Sequence, residues 1–514
     1  MIERLTDEGT DARETAPPAP QPLVNGAAES PGVSVAAQDV QRRAVTGALM
    51  IGARGVGVRV FGLAGNVVLA RMLLPSEFGT VALALSLLTL GGVIFDGGLG
   101  AGLIRRLREP TTEELRNVAA VQLAGALALA AAVAAVGIWA GAAGEVAAVM
   151  MLALPIMALR GPSMVVLERR MSFGAVAAVE VGEVVAYYGW AVLTVALGFG
   201  VWGLATASIV KAVVGTLTLA KVAPGTFVRP AVSPELIRSL LRFGVRVQAA
   251  QVVRVVRDQA LNLATFAIAG AATLGLWTLA TRVLQIPLLL FESLWRVSFP
   301  AMSQLLAAGE DPKPLLERGV RSIAAATGLA ATVLVCSAPA LVPAVFGPEW
   351  TDAAVAVAAS CLGLQIGGPV SAVAAGYLYA SGEAGVVVRS AVAQALVWPA
   401  VALPLLPGLG VAALGIGYVG VGLVDAVILS RAAQRLAGAR LVPPLMVPLA
   451  IAVLASVAGW AAISALRPTI AAAAAGALLG ALLYAVGLLA VRRALLVELI
   501  ALGRRVFASV APGA

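Results

Sequence analysis

Long apolar runs separated by short polar breaks dominate this chain of 514 residues. Runs of about 20 apolar residues recur from residue 45 to residue 491, and a helix of that length crosses a hydrocarbon core of about 30 Å. The pattern predicts an all-α polytopic membrane protein with about fourteen transmembrane helices. Charge clusters and Gly or Pro breaks place the spans at roughly 45–70, 77–103, 117–139, 145–167, 176–197, 201–221, 239–268, 272–303, 320–346, 353–379, 386–406, 410–432, 444–466 and 469–491.

Composition supports a membrane protein and argues against a nucleic-acid partner. Hydrophobic residues make up 60% of the chain and charged residues 12%, whereas soluble domains carry about 25% charged residues. The net charge of +9 comes from basic residues, but these cluster at span ends, where they act as a topology signal. The chain has no histidine and two cysteines, both within apolar runs. We therefore expect no metal site, disulfide or cofactor.

Basic residues occur in alternate loops, which predicts the orientation. They follow the second, fourth, sixth, eighth, tenth, twelfth and fourteenth spans, whereas the intervening loops offer only Arg71 and Arg467. By the positive-inside rule, both termini face the cytoplasm, and the chain is expected in the cytoplasmic membrane.

Three pairs of motifs suggest an internal repeat. Gly161-Pro162 has a counterpart in Gly368-Pro369, GFGVWGLA at Gly198 resembles GLGVAALG at Gly408, and the hairpin at Phe78-Gly79 matches Leu274-Gly275. Offsets of about 200 residues correspond to six spans, so two copies with the same orientation are predicted around a central cavity.

The predicted parts are a disordered cytoplasmic tail (1–44), an N-terminal six-helix bundle (45–222), a cytoplasmic linker (223–238), a C-terminal six-helix bundle (239–433), two extra helices (444–491) and a cytoplasmic tail (492–514).

Charged residues inside the predicted spans are the candidate functional residues. In the seventh span, Arg246, Arg254 and Arg257 share one helical face, and Asp258 adjoins them. The first and eighth spans carry the remaining charges of the set: Arg54, Arg59, Arg282, Glu292 and Arg296. Further buried candidates elsewhere are Asp96, Arg160, Glu180, Glu183, Lys211 and Asp425.

Two interpretations of these charges remain open. Each arginine could be neutralised by a carboxylate and simply hold helices together. However, the three spans hold seven arginines against two carboxylates, Asp258 and Glu292, and an unpaired cation in hydrocarbon is too costly to persist. Some arginines are therefore expected to face a water-filled, electropositive cavity that suits an anionic group such as phosphate.

Signals for an enzyme are weak. The segment GGLGAG at residues 97–102 is glycine-rich but follows no strand, and the chain has no Gly-Lys-Ser/Thr motif for ATP hydrolysis. The predicted non-cytoplasmic loops are too short for a catalytic domain. We expect a protein that is not an enzyme.

Several motifs together resemble bacterial oligosaccharide flippases. The segments ARMLLPSEFGTVALALSLL and DGGLGAGLIRR are similar to the first hairpin of Wzx-type lipopolysaccharide and exopolysaccharide transporters of the multidrug/oligosaccharidyl-lipid/polysaccharide superfamily. The segments LERRMSFGAVAAVEV, LLRFGVRVQ, GLWTLATRVLQIPLLLFESLWRVSFPAMSQL and FGPEWTDAAVAV follow in the family's order. The resemblance covers about residues 45–435.

The resemblance implies a transporter that moves a polyprenyl-diphosphate-linked oligosaccharide to the outer leaflet by alternating access. The expected partners are this lipid-linked substrate, membrane lipids, a polysaccharide polymerase and glycosyltransferases. Substrate binding is assigned to Arg59, Arg246, Arg254, Arg257, Arg282 and Arg296, with Asp96, Asp258 and Glu292 pairing with arginines when the cavity is empty. The alternatives are an ion-coupled multidrug exporter of the same superfamily, a membrane enzyme, and a non-transporting scaffold of an envelope assembly complex.

Overall fold

The structure, a computed structural model, describes residues 57–510 except 59, 97, 98, 106, 107, 138 and 140. Within this range, the side chains of the following residues are not described: 95, 101, 102, 105, 239–251, 286, 289–301, 494 and 496–510. Helices account for nearly all of this part of the chain. Their bounds are α1 Val60–Met72, α2 Pro75–Asp96, α3 Leu99–Arg105, α4 Thr112–Gly137, α5 Gly141–Met151, α6 Ala153–Ala158, α7 Gly161–Arg169, α8 Phe173–Ala196, α9 Val201–Val222, α10 Pro234–Ala307, α11 Lys313–Phe346, η1 Pro348–Trp350, α12 Ala353–Ala380, α13 Ala384–Leu409, α14 Val411–Ala437, α15 Val442–Ser464 and α16 Ile470–Val510.

The predicted all-α polytopic membrane fold is confirmed. Among the described residues, 12 helices are long and apolar enough to cross a membrane, and α1 is a shorter apolar helix. Residues 1–56, which include the predicted tail and the beginning of the first span, lie outside the described part. The predicted span 145–167 is divided into α5, α6 and α7. The break before α7 lies where Pro162 lacks the N–H that would bond to Ala158.

Helix α10 folds back on itself and supplies two of the predicted spans. Its 74 residues contain one non-helical position, Gly270, with φ 79° and ψ 178°. Arg257 lies before this position and Trp277 after it, and an unbroken helix would separate them by about 30 Å. Both nevertheless contact Trp398: the Arg257 guanidinium lies 5.1 Å from its ring centroid, and the Trp277 ring lies 5.9 Å away. The two legs of α10 therefore lie side by side, as the predicted spans 239–268 and 272–303 require.

Helices α2 and α10 approach closely through two glycines. A Cβ at Gly79 would collide with the backbone oxygen of Ala271, and a Cβ at Gly275 would collide with that of Pro75. Gly79 thus faces Ala271, four residues before Gly275, and Gly275 faces Pro75, four residues before Gly79. Equivalent helices related by a two-fold axis make reciprocal contacts of this kind, and these are the two hairpins matched in the sequence.

A second motif pair shares an unusual backbone conformation. Gly200 precedes α9 with φ 52° and ψ −131°, and Gly410 precedes α14 with φ 54° and ψ −137°. A positive φ is accessible to glycine at little cost and disfavoured for other residues. The motifs GFGV and GLGV therefore build the same turn in both halves of the sequence, which supports the predicted repeat.

One set of contacts between the two predicted halves lies near the α1–α2 turn, and α10 also packs on α3 and α4. Trp350 of the FGPEW motif is fully buried, donates its indole N–H to the Ala70 carbonyl at 3.1 Å and packs edge-on against Phe78 at 5.1 Å. Arg71 donates to the carbonyls of Ala344 and Val345 at the end of α11, the latter at 2.7 Å. A cation at a helix C-terminus is favourable, which gives a structural role to one of the two basic residues found in the predicted non-cytoplasmic loops.

The last two spans, α15 and α16, pack on α11. Tyr484 is buried and donates its hydroxyl to the Ala325 carbonyl at 3.0 Å. Gly459 and Gly480 both lie against the side chain of Cys336. Small residues let helices approach closely within a membrane. Cys336 and Cys361 are both free and buried.

Candidate functional site

The helices surround two neighbouring cavities, here called lobes, that share four lining residues. The lobe here called the N-lobe, of about 600 Å³, lies between α1, α2, α6, α8, α9 and the second leg of α10. The C-lobe, of about 510 Å³, lies between α2, both legs of α10 and α12 to α14. Both lobes are lined by Leu85, Thr281, Arg282 and Gln285. Arg282 therefore lies at the boundary between them, close to where the two predicted halves of the chain meet.

The N-lobe is cationic. Lys211 from α9 and Arg282 from α10 line it, and no carboxylate occurs among its described lining residues. Neither cation forms an ion pair with another described residue. A cation in an apolar surrounding needs water or an anion for stability. The lobe is thus suited to an anionic group that can contact both side chains.

One wall of the N-lobe combines aromatic rings and hydrogen-bonding groups. The side-chain amide of Asn66 donates to the Tyr188 hydroxyl at 2.7 Å and to the Gly62 carbonyl at 2.8 Å. Tyr187 and Tyr188 pack edge-to-face, with ring centroids 5.1 Å apart. These contacts hold both rings in place beside the cations. Amphipathic rings beside amide and hydroxyl groups suit a polar ligand with some apolar surface.

In the C-lobe, Arg257 is held by three neighbours. Its guanidinium donates to Asp258 at 2.8 Å and to the Gln394 side-chain oxygen at 3.3 Å, and it lies over the Trp398 ring. Gln394 in turn donates to Asp425 at 2.7 Å. Only 9% of the Arg257 side chain is exposed. The network balances the arginine charge with carboxylates, so the cationic character of the cavity depends mainly on Arg282 and Lys211.

A separate charged pair is structural. Arg160 and Glu183 form an ion pair whose side chains are 10% and 11% exposed, packed against Gly215. Neither residue lines either lobe. Arg160 is therefore neutralised by a carboxylate, as the first of the two interpretations of the intramembrane charges predicts.

We predict that Glu183→Gln destabilises the protein, because Arg160 would be left buried without its counter-charge. Loss of one partner of a buried pair costs about 3–5 kcal/mol. Thermal unfolding of the purified protein in detergent should show a clearly lower midpoint. Glu145→Gln, at an exposed position, is the matched control and should leave the midpoint unchanged. The double variant R160M/E183Q should recover most of the loss, and a double variant less stable than Glu183→Gln would contradict this role.

The model of a family described as "Polysaccharide biosynthesis protein" matches residues 68–355, more than half of the chain. The chain belongs to the polysaccharide biosynthesis protein family. The matched range lies within residues 45–435, where the sequence motifs resemble oligosaccharide flippases. The resemblance is therefore confirmed at the level of the family.

A curated relative of this polysaccharide biosynthesis protein is the succinoglycan biosynthesis transport protein ExoT of Rhizobium meliloti strain 1021. It is 27% identical over 254 residues, which cover 46% of this chain and 49% of the relative. The chain thus spans about half the length of the curated relative it matches.

Two solved structures share the fold. The lipid II flippase MurJ in an inward closed conformation has a TM-score of 0.66 and 11% identity, covering 85% of this chain and 98% of MurJ. The inward-facing conformation of a multidrug resistance MATE family transporter of the MOP superfamily has a TM-score of 0.57 and 19% identity, covering 73% and 94%. At these identities the likeness shows a common fold.

The structure brings together only some of the predicted site residues of this polysaccharide biosynthesis protein. Arg282 lines both lobes, and Arg257 and Asp258 line the C-lobe as a pair. Arg254 is exposed and lines neither lobe. Asp96 accepts from the Gln122 side chain at 2.8 Å and from the Gly100 backbone at 3.3 Å. Arg59 lies outside the described residues, as do the side chains of Arg246, Glu292 and Arg296.

Lys211 and the tyrosine pair line the site, but the pattern of charges along the sequence does not single them out. Lys211 is a charge inside a predicted span whose other residues form no charged cluster. Tyr187 and Tyr188 carry no charge at neutral pH, so a search for intramembrane ions misses them. Two adjacent tyrosines near the middle of a predicted span are the signal that could have drawn attention to this wall of the cavity.

Proposed function

We propose that this protein is a flippase that moves a polyprenyl-diphosphate-linked oligosaccharide from the inner to the outer leaflet of the cytoplasmic membrane. The observation that carries the proposal is the pair of cations, Lys211 and Arg282, in a cavity of a polysaccharide biosynthesis family member. ExoT is named as a succinoglycan biosynthesis transport protein and MurJ as a lipid II flippase. Both names agree with a lipid-linked oligosaccharide as cargo.

The cavity offers each part of such a substrate a suitable surface. The diphosphate would contact the guanidinium of Arg282, which is planar and permanently charged, and the ammonium of Lys211. The sugars would lie against Tyr187, Tyr188 and Asn66, where rings and hydrogen-bonding groups alternate. The apolar tail would remain in the bilayer, since its removal from lipid brings no gain.

Alternating access is part of this proposal, and one set of contacts between the predicted halves supports it. Their contacts at Trp350, Arg71 and the Gly79–Gly275 crossing lie near the α1–α2 turn, which the positive-inside rule places on the non-cytoplasmic side. Loading would occur from the cytoplasmic side, where glycosyltransferases assemble the oligosaccharide. Opening of these contacts would release it to a polymerase on the other side.

The test is direct transport in proteoliposomes. We expect the purified protein to move a fluorescent short-chain polyprenyl-diphosphate oligosaccharide between leaflets, measured by a membrane-impermeant quencher. Protein-free liposomes and an uncharged short-chain glycolipid are the controls. Absence of transport by a well-folded protein, shown by its thermal midpoint, would overturn the proposed function.

A second candidate, an ion-coupled drug exporter, is favoured by the carboxylates of the C-lobe. Asp258 is 44% exposed on its side chain and lines this lobe, and Asp425 is linked to it through Gln394 and Arg257. An exporter of cationic drugs needs such acidic groups. Efflux of a cationic dye from cells, with no movement of the lipid-linked probe in liposomes, would select this function instead.

A further inference from the structure

A further cavity shares no lining residue with the two lobes. This cavity, called the basic pocket, has a volume of about 680 Å³ and is formed by α11, the end of α14, the beginning of α15 and α16. Four cationic side chains and one carboxylate line it. They are Lys313, Arg321, Arg440, Arg492 and Glu317.

The single carboxylate of the basic pocket has a structural task. A Glu317 side-chain oxygen accepts the backbone N–H of Arg440 at 3.0 Å. This bond fastens the turn between α14 and α15 to the first part of α11. The pocket keeps a charge excess of three, since four cations face one carboxylate that is already engaged.

The basic pocket lies where several spans end. Helix α11 begins at Lys313, α14 ends at Ala437, α15 begins at Val442, and the apolar part of α16 ends at Arg493. Arg492 has non-helical angles, φ −151° and ψ 73°, so α16 changes direction there. The positive-inside rule places these ends at the cytoplasmic surface of the membrane.

The chemistry of the lining distinguishes a lipid from a free anion. Besides the cations, the pocket is lined by apolar residues of α15 and α16, namely Pro443, Pro444, Val447, Pro448 and Leu495. A free phosphate ion would gain nothing from them. A phospholipid presents an anionic phosphate and apolar chains side by side, and basic pockets between transmembrane helices at the cytoplasmic side suit such headgroups.

We propose that the basic pocket binds the phosphate group of an anionic phospholipid, such as phosphatidylglycerol, in the cytoplasmic leaflet. The bound lipid bridges Arg321 of α11, Arg440 before α15 and Arg492 of α16. It thereby holds the two C-terminal spans against α11. The inference does not depend on what the central cavity transports.

The test compares two variants with equal loss of charge. The triple variant R321Q/R440Q/R492Q removes pocket arginines, whereas R318Q/R389Q/R431Q removes three exposed arginines that do not line the pocket. Each protein is titrated with phosphatidylglycerol in non-ionic detergent, and lipid adducts are counted by native mass spectrometry. We expect the pocket variant to bind at least about tenfold more weakly than the wild type, because each basic residue near a membrane surface adds appreciably to anionic-lipid affinity. The control variant should match the wild type.

Further arms separate the sources of the phosphate group and guard against misfolding. R321K/R440K/R492K keeps the charge and should bind phosphatidylglycerol within about threefold of the wild type. If the glutamine variant had lost binding only because its structure was disturbed, the lysine variant would lose binding as well. Equal binding of phosphatidylcholine would show that charge does not select the ligand. Equal thermal protection by inorganic phosphate would identify an ion site, and preferential binding of a polyprenyl diphosphate would identify a substrate site. Each of these results, like unchanged phosphatidylglycerol binding by the glutamine variant, would overturn the proposal.

Discussion

Replacement of both Lys211 and Arg282 by glutamine should abolish polysaccharide export. The two residues are the charged groups among the described lining of the N-lobe, and they supply the positive charge that the carboxylates of the C-lobe do not balance. A hydrogen bond to a charged group contributes about 1.5–3 kcal/mol. Loss of two such contacts with a diphosphate should therefore reduce binding by about a hundredfold or more. Extracellular polysaccharide in a host that lacks its own flippase measures the effect.

Two kinds of control accompany this experiment: variants that preserve the charge at the site, and variants that remove a charge elsewhere. Lys211→Arg and Arg282→Lys preserve the charge and should each retain substantial export. Arg389→Gln and Arg431→Gln remove charges at exposed positions outside both lobes, and their export should equal that of the wild type. Normal export by the Lys211/Arg282 double variant, at equal levels of membrane-inserted protein, would remove these residues from the substrate site.

The sequence predicted that some intramembrane arginines face a cavity, but it could not say which. Arg257 and Arg282 each lie within a predicted span, and the adjoining Asp258 is the one difference that the sequence shows beside Arg257. In the structure, Arg257 is closely surrounded by Asp258, Gln394 and Trp398, whereas Arg282 is exposed to both lobes. Gln394 and Trp398 lie more than 130 residues after Arg257 in the chain. The helical periodicity of one span contains no information about partners so distant in sequence.

The fold was easier to predict than the site, and for a physical reason. The backbone of a membrane-spanning segment must satisfy its hydrogen bonds internally, so an apolar run of sufficient length predicts a helix without knowledge of its neighbours. The predicted turn between 268 and 272 coincides with the non-helical Gly270. What the sequence could not predict is contact: the Glu317 bond that shapes the basic pocket, or the wall formed by Asn66 and Tyr188, depends on which helices meet.

Gly79→Ala should strongly destabilise the protein, although glycine-to-alanine changes within helices normally stabilise them. Alanine is favoured over glycine in a helix interior by about 1 kcal/mol. At Gly79, however, the added methyl would overlap the backbone oxygen of Ala271, and a backbone atom cannot rotate away as a side chain can. The two helices would have to separate, which would also disturb the reciprocal contact of Gly275 with Pro75. Overpacking commonly costs about 1–3 kcal/mol and sometimes more.

Gly92, on the same helix, provides the matched control because a Cβ there would meet no atom within 4 Å. Gly92→Ala should be neutral or stabilising, so the same substitution on α2 should lower the thermal midpoint at Gly79 and leave it unchanged or raise it at Gly92. Gly79→Leu should go further and prevent recovery of monodisperse protein from the membrane. Equal midpoints for Gly79→Ala and Gly92→Ala would mean that α2 and α10 do not approach as closely as the structure places them. In that case the α2–α10 crossing could not be one of the contacts that the proposed alternating access opens.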